Sequence, residues 1–255
     1  MSEGFRRLEL PAEPSLFAQL YASAAFEQLG KGRQGTVLVE PDPARGTPIV
    51  RTTSIYERAA QCFSPLHRRL ARQIQALAAL PCAFNNALIE AYTNSYARMG
   101  LHCDQALDLR PGSSIALFSC YEHPERATPP RALVIESKQD AGERFELALT
   151  HHSVVLWSLA TNQRFRHKIV LDRSRQPPEN RWLGLTFRTS ATFVRTDQGQ
   201  PRFESGAPLG LADEQQRKAF YQLRGRENRE LDFCYPPLDY TISASDLLPP
   251  SPARA

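Results

Sequence analysis

Lysine is scarce in this 255-residue chain: only Lys31, Lys138, Lys168 and Lys218 stand among 31 basic residues, and the rest are arginine. Arginine suits carboxylates and phosphates, although a GC-rich genome produces the same bias. Neither sign of charge dominates, because 27 acidic residues bring the balance to +4. That balance permits an anionic ligand or nucleic acid and demands neither. Cysteine is sparse and scattered: Cys62, Cys82, Cys103, Cys120 and Cys234 are odd in number and contain no CxxC pair. A disulfide framework or structural zinc site is therefore not expected, and a reducing compartment fits. No apolar run approaches the ~20 residues needed to span a bilayer. The opening Met-Ser-Glu-Gly-Phe-Arg-Arg has no apolar stretch of the signal-peptide kind. The expectation is a soluble, cytoplasmic monomer without a membrane partner. With 42% hydrophobic and 23% charged residues the chain is globular, large enough for one core and a small appendage.

The first 83 residues read as helical material and a substrate-lid segment of the same domain. Leu16, Phe17, Leu20, Tyr21, Phe26 and Leu29 form an amphipathic stretch, and residues 41–48 are a Pro/Gly-bearing loop. Ser64 can cap a second helix with Pro65 in its first turn, and Leu66, Leu70, Ile74, Leu77 and Leu80 repeat at helical spacing until Pro81. From Phe84 the period changes. Segments 84–96, 113–121, 131–136, 144–149, 153–157, 167–171 and 181–193 read as short strands separated by turn residues, which predicts a sandwich or barrel over 84–195. Beyond Arg195 come a linker, a charged helix over 213–231 with Asp213 as its cap, and a Pro-rich tail. Tyr235, Leu238, Tyr240 and Ile242 are expected to dock that tail, with its last residues loose. The fold class is α+β, mainly β, with N-terminal helices packed on the core and a C-terminal helix plus extended tail. The alternating Arg217, Arg224, Arg226, Arg229 and Asp213, Glu214, Glu227, Glu230 read as a solvated, salt-bridged face.

The segment that carries chemistry is Asn94-Ser-Tyr96 followed by His102-Cys-Asp104. In a strand, residues i and i+2 share a face, so His102 and Asp104 can present two ligands together. His167, at the start of a later strand, supplies a third. Two histidines and a carboxylate with open positions are the set associated with non-haem Fe(II) oxygenases. The adjacent pair His151-His152 reads as a turn, since neighbours on a strand face opposite ways.

The order of parts resembles the AlkB-like branch of Fe(II)/2-oxoglutarate-dependent dioxygenases. The matching residues are Asn94 and Tyr96, His102 and Asp104, Val154 to Trp157, His167, and Leu185-Thr-Phe-Arg188, with Pro48 to Tyr56 similar to the family's substrate-side strand. The resemblance spans about residues 45–195. It implies a double-stranded β-helix, a jelly-roll of two facing sheets. It implies Fe(II) at His102, Asp104 and His167, with 2-oxoglutarate and O2 as co-substrates and Asn94, Tyr96, Arg181, Thr186 and Arg188 as the 2-oxoglutarate residues. It also implies substrate contacts by Arg51, Tyr56 and Ala106. The reaction implied is hydroxylation of a C–H bond, with loss of the alkyl group as an aldehyde when that carbon is attached to nitrogen or oxygen. Alkylated DNA or RNA is one substrate class. A small metabolite or protein side chain is an alternative, and a catalytically silent jelly-roll binding protein is a third reading.

Two departures stand out. Base-repairing members carry acidic residues just past His-x-Asp, where this chain has Ala106 and Leu107. Base recognition would then fall to residues such as Arg51, Arg98 or Arg110. The family's two last-strand arginines are six apart, whereas Arg181 and Arg188 are seven apart, so they face opposite ways on a straight strand. A β-bulge near Gly184 is the favoured way to bring Arg181 inward. Arg173 or Arg175 as a substitute, or Arg188 acting with Asn94 and Tyr96 alone, are the other two.

Overall fold

The computed structural model describes residues 4–139 and 142–254. In chain order the elements are β1 (Phe5–Glu9), α1 (Leu16–Ala22), β2 (Glu27–Gly30), β3 (Arg33–Val39), β4 (Thr47–Pro48), β5 (Gln61–Cys62), α2 (Pro65–Ala78), β6 (Asn86–Tyr92), β7 (Ser114–Tyr121), β8 (Ala132–Ser137), β9 (Arg144–Ala148) and β10 (Ser153–Ser158). They continue as α3 (Leu159–Arg164), β11 (Phe165–Val170), β12 (Trp182–Arg188), β13 (Phe193–Asp197), β14 (Gln200–Phe203), β15 (Gly210–Leu211), α4 (Glu214–Glu227) and β16 (Tyr240–Thr241).

Among the described residues eight strands form the large sheet, in the order β1-β10-β7-β12-β6-β3-β2 with β5 beside β3. A smaller sheet runs β11-β8-β9. The central strands β6, β7, β10 and β12 are buried on both faces, which is why they read as nearly continuous apolar runs. One face carries Ala87, Ile89, Phe118, Leu183, Leu185 and Phe187 against Leu20, Leu70 and Ile74 of α1 and α2. The other carries Tyr92, Leu117, Trp157 and Trp182, which meet Leu133, Ile135, Phe165 and Ile169 of the small sheet. This is the expected jelly-roll core of two facing sheets, with helices packed outside it.

The helix signals hold where the caps are chemical. The Ser64 hydroxyl accepts from His67 N–H while the His67 ring accepts from Ser64 N–H, and Asp213 does the same with Gln216 at the start of α4. Both reciprocal pairs satisfy amide groups that have no partner within the helix.

Three expectations need correction. The stretch 11–30 is helical only over Leu16–Ala22, and Glu27–Gly30 is a strand. The first eighty residues also add β1 and β3 to the large sheet, because Val37, Leu38 and Val39 suit a pleated surface better than a helix. The substrate-side strand is short: only Thr47–Pro48 pairs, and 49–60 runs as irregular chain over the sandwich.

The region after residue 195 docks more firmly than its composition suggests. Tyr240 and Ile242 are buried, and Ser251 exchanges backbone hydrogen bonds with Ala60 and Cys62. Buried Arg51 is the fastener: its guanidinium pairs with Asp108 at 2.7 Å and donates to the carbonyls of Leu238 and Tyr240. Among the described residues no helix is long and apolar enough to cross a membrane.

Candidate active site

Residues 98–104 lie antiparallel to β11, and the bridge between them pairs His102 with His167 directly. His102 N–H donates to His167 O at 2.9 Å, and the two rings lie 4.6 Å apart. Asp104 follows on the same face, so the ligand atoms of His102, Asp104 and His167 all fall within 4.8 Å of one another. The predicted trio is thus brought together by one register. Cys103, between them, faces the other way and packs against Asn228 and Glu227.

Each member is held by a second group. His102 Nδ1 lies 2.9 Å from Gly100 O, so it carries the proton and leaves Nε2 as an electron-pair donor. The Asn162 amide clamps the backbone of Asp104 twice, accepting at 2.9 Å and donating at 2.8 Å. The edge of Trp157 meets His167 at 5.1 Å. Arg188 binds Asp104 Oδ2 at 2.7 Å, while Oδ1 lies 3.6 Å and 3.9 Å from the two Nε2 atoms. One carboxylate oxygen is therefore spent on the arginine and the other faces the histidines.

Burial drives both imidazoles toward the neutral form, His167 down to about 3; Arg224 and Arg188 add to this at both rings and His102 adds to it at His167, against the opposing pull of Asp104. Burial alone would raise the Asp104 carboxyl, but Arg188, His167 and His102 outweigh it and hold the group well below its ordinary value. Two neutral nitrogens and one ionised oxygen form a donor set that fits a divalent transition metal.

A cavity of about 100 Å³ lies against this trio. Thr186 and Arg188 line it as expected, and Leu117 and Ile169 form apolar walls. The remaining expectations divide. β12 pairs with β6 and β7 in unbroken register from Trp182 onward, so no bulge exists and Arg181 points outward to Glu122, 4.7 Å from the Tyr21 ring. Trp182 takes the inward place instead, and its ring lies across Gly184, where an added Cβ would come within 2.2 Å of it. Asn94 is also outside: its amide donates to the carbonyls of Pro177 and Pro178. Arg173 donates to Asn94 O and Arg175 pairs with Asp172, so neither reaches in. Tyr96 packs at 4.6 Å on Tyr92, behind the cavity. Arg51 is consumed by Asp108 and the tail. Ala106 lines a neighbouring cavity of about 800 Å³ with Leu107 and Tyr235. Tyr56 is buried on a small void that it shares with Arg188.

Several site residues escaped the motif reading. Glu90 of β6 lines the cavity, with Tyr92 donating to it at 2.7 Å and Arg33 of β3 pairing with it at 2.6 Å. The signal was a lone glutamate in alternation with apolar residues on a strand. Arg224 of α4 also enters the cavity lining, paired with Glu227 at 2.8 Å. Both are buried, so α4 is not solvated on that face. Only pairs such as Arg226–Glu230 match the exposed reading.

The family model of the 2OG-Fe(II) oxygenase superfamily matches residues 35–188. No curated protein matches. Among solved structures, OsALKBH1 is similar at 15% identity over 74% of this chain and 99% of that one, with a TM-score of 0.49. A Pseudomonas putida prolyl-4-hydroxylase follows at 12% identity, 74% and 95% coverage and a TM-score of 0.41. A Trichoplax adhaerens prolyl hydroxylase, solved with a hypoxia inducible factor peptide fragment, is similar at 11% identity over 73% and 84%, with a TM-score of 0.44. None of these three likenesses bears on substrate.

Proposed function

This chain belongs to the 2OG-Fe(II) oxygenase superfamily, and we propose that within it the protein is an AlkB-like dioxygenase that hydroxylates, or oxidatively dealkylates, a small group presented singly to the cavity. The family uses Fe(II), 2-oxoglutarate and O2. When bound, they oxidise a C–H bond while 2-oxoglutarate is decarboxylated to succinate. The observation that carries the reading is the converging His102, Asp104 and His167, each oriented by its own partner.

The residues around the trio have separable tasks. His102, Asp104 and His167 would hold the metal. Gly100 O fixes the His102 tautomer. Arg188 sets which Asp104 oxygen is free and keeps the carboxyl ionised. Leu117, Ile169 and Trp157 exclude water. Thr52, Ser54, Gln105 and Arg224 are the polar groups of the lining, suited to orienting a substrate. Arg33, Arg188 and Arg224 are each matched by an acid, Glu90, Asp104 and Glu227.

The order of motifs favours a second reading, an alkylated nucleic-acid base. Against it stand Ala106 and Leu107 in place of acids and the full commitment of Arg51 to Asp108 and the tail. The test is anaerobic Fe(II) and 2-oxoglutarate binding, followed by aerobic succinate release against methylated oligonucleotides and amino-acid-like metabolites. Iron-dependent succinate is expected, absent in a His102→Ala, Asp104→Ala double variant. A protein that takes up no Fe(II) is a binding module and the reading fails.

A further inference from the structure

Resting on that reading, we propose that Arg33, on a strand ahead of the family motifs, anchors the far carboxylate of 2-oxoglutarate in this chain. A carboxylate taken out of water needs a cation or several donors. The last strand offers none that is free: Arg181 faces outward to Glu122, Trp182 fills the inward place over Gly184, and Arg188 is bound to Asp104. The cation must come from another element.

Arg33 fulfils that need by register. It pairs with Tyr92 across β3 and β6, and Gly35 pairs with Glu90, so Arg33 shares the inward face of both. Its guanidinium lines the cavity, donates to Glu90 at 2.8 Å and to Ser54 Oγ at 3.3 Å, and lies 5.7 Å from the centre of the Tyr96 ring.

Glu90 does not use up the positive charge at this end. Arg131, only 1% exposed, has no carboxylate partner among the described residues. It donates to the carbonyls of Tyr96 and Thr93 and lies 5.4 Å from the centre of the Tyr92 ring. Among the described residues Glu90 therefore pairs with Arg33 alone, and Arg131, bonded to Tyr96 O and Thr93 O beside the Tyr92 ring, leaves one positive charge in excess in this cluster. Arg131 is kept from the cavity by the Tyr92 ring and its carbonyl bonds, so Arg33 is the group that makes contact. Tyr92 keeps its hydrogen bond to Glu90 when Arg33 turns to a second carboxylate.

A second, independent observation points to a missing partner. The Tyr56 hydroxyl is buried and has no hydrogen-bond partner. It hangs over Gly35, where an added Cβ would lie 3.2 Å from it and 3.4 Å from Glu90 Cγ. Tyr56 lines the small void that adjoins the cavity along Val50, Thr52, Ser54 and Arg188, so its unsatisfied buried hydroxyl is suited to an incoming oxygen there.

The experiment compares two acids on metal-loaded, oxygen-free protein by calorimetry: 2-oxoglutarate, and 2-oxopentanoate, which has the same chain length and a methyl end. Arg33→Met is expected to weaken 2-oxoglutarate by about tenfold or more and to leave 2-oxopentanoate unchanged. Arg33→Lys should recover part of the loss. Native 2-oxoglutarate affinity in Arg33→Met, or equal loss of both acids, overturns the assignment. So does selective loss in Arg131→Met with none in Arg33→Met. A wild-type protein that binds no metal overturns the functional reading instead, and the anchor with it.

Discussion

The two ends of the cavity obey different rules. At the metal end, His102, Asp104 and His167 match the motif residue by residue, and the strands deliver them on one face. At the far end a tryptophan occupies the motif's first-arginine position, a glutamate lines the wall, and the cation in the lining, Arg33, comes from β3, with Arg131, just before β8, behind the Tyr92 ring. Metal ligation restricts residue type and geometry together, because the donor atoms must be soft enough, deprotonated and convergent. Holding a carboxylate restricts only charge and reach, so it has many solutions. A motif scan is therefore informative at one end and weak at the other.

The sharpest way to break this comparison is Asp104→Ala. It removes the only anionic ligand and should abolish Fe(II) binding in an anaerobic titration. Native affinity there would mean that the convergence of the trio is structural. Next comes Arg188→Met, which leaves Asp104 buried without its cation. Breaking a buried pair from one side costs about 3–5 kcal/mol, which thermal unfolding of the metal-free protein would register. Adding Asp104→Asn to that variant should restore part of the stability. A variant melting like the wild type would show that Arg188 is not what keeps Asp104 charged.

Gly184→Ala probes the far end. Its Cβ would enter the space of the Trp182 ring, and overpacking of this kind costs about 1–3 kcal/mol. In a Trp182→Leu background the same change should be nearly neutral, and a double-mutant cycle reads the difference. Equal costs in both backgrounds would show that the glycine serves the backbone and not the ring. The smallest effect belongs to Asp213→Ala. Loss of that cap costs about 1 kcal/mol and should loosen α4, and with it Arg224, as seen by faster amide exchange over 214–217.

How much was legible follows from the same physics. Helix starts at Ser64 and Asp213 were readable because a cap is a local bargain between neighbours in sequence. The strands of the core were readable as short apolar segments, though the sheet order was not. The metal trio was readable because His-x-Asp spacing is itself a strand property. The Arg181 problem was visible as a seven-residue spacing, yet the favoured bulge was wrong: the strand stays regular and Trp182 fills the gap. Asn94 was misplaced because β6 ends at Tyr92: the alternation that turns Glu90 and Tyr92 inward gives way to a turn at residues 94–95. Arg33 and Arg131 could not be read at all. Their relation to the cavity depends on which strands lie side by side, and no pattern within either segment records that.

Arg51 has a consequence in time as well as in space. Its guanidinium is satisfied on one side by Asp108 and on the other by the carbonyls of Leu238 and Tyr240. During synthesis from the amino end, the sandwich with His102, Asp104 and His167 leaves the ribosome well before residue 238. Until that segment arrives, Arg51 lacks two acceptors and is held by Asp108 alone. The order of translation therefore leaves the Arg51 fastening half made until after His102, Asp104 and His167 can assemble.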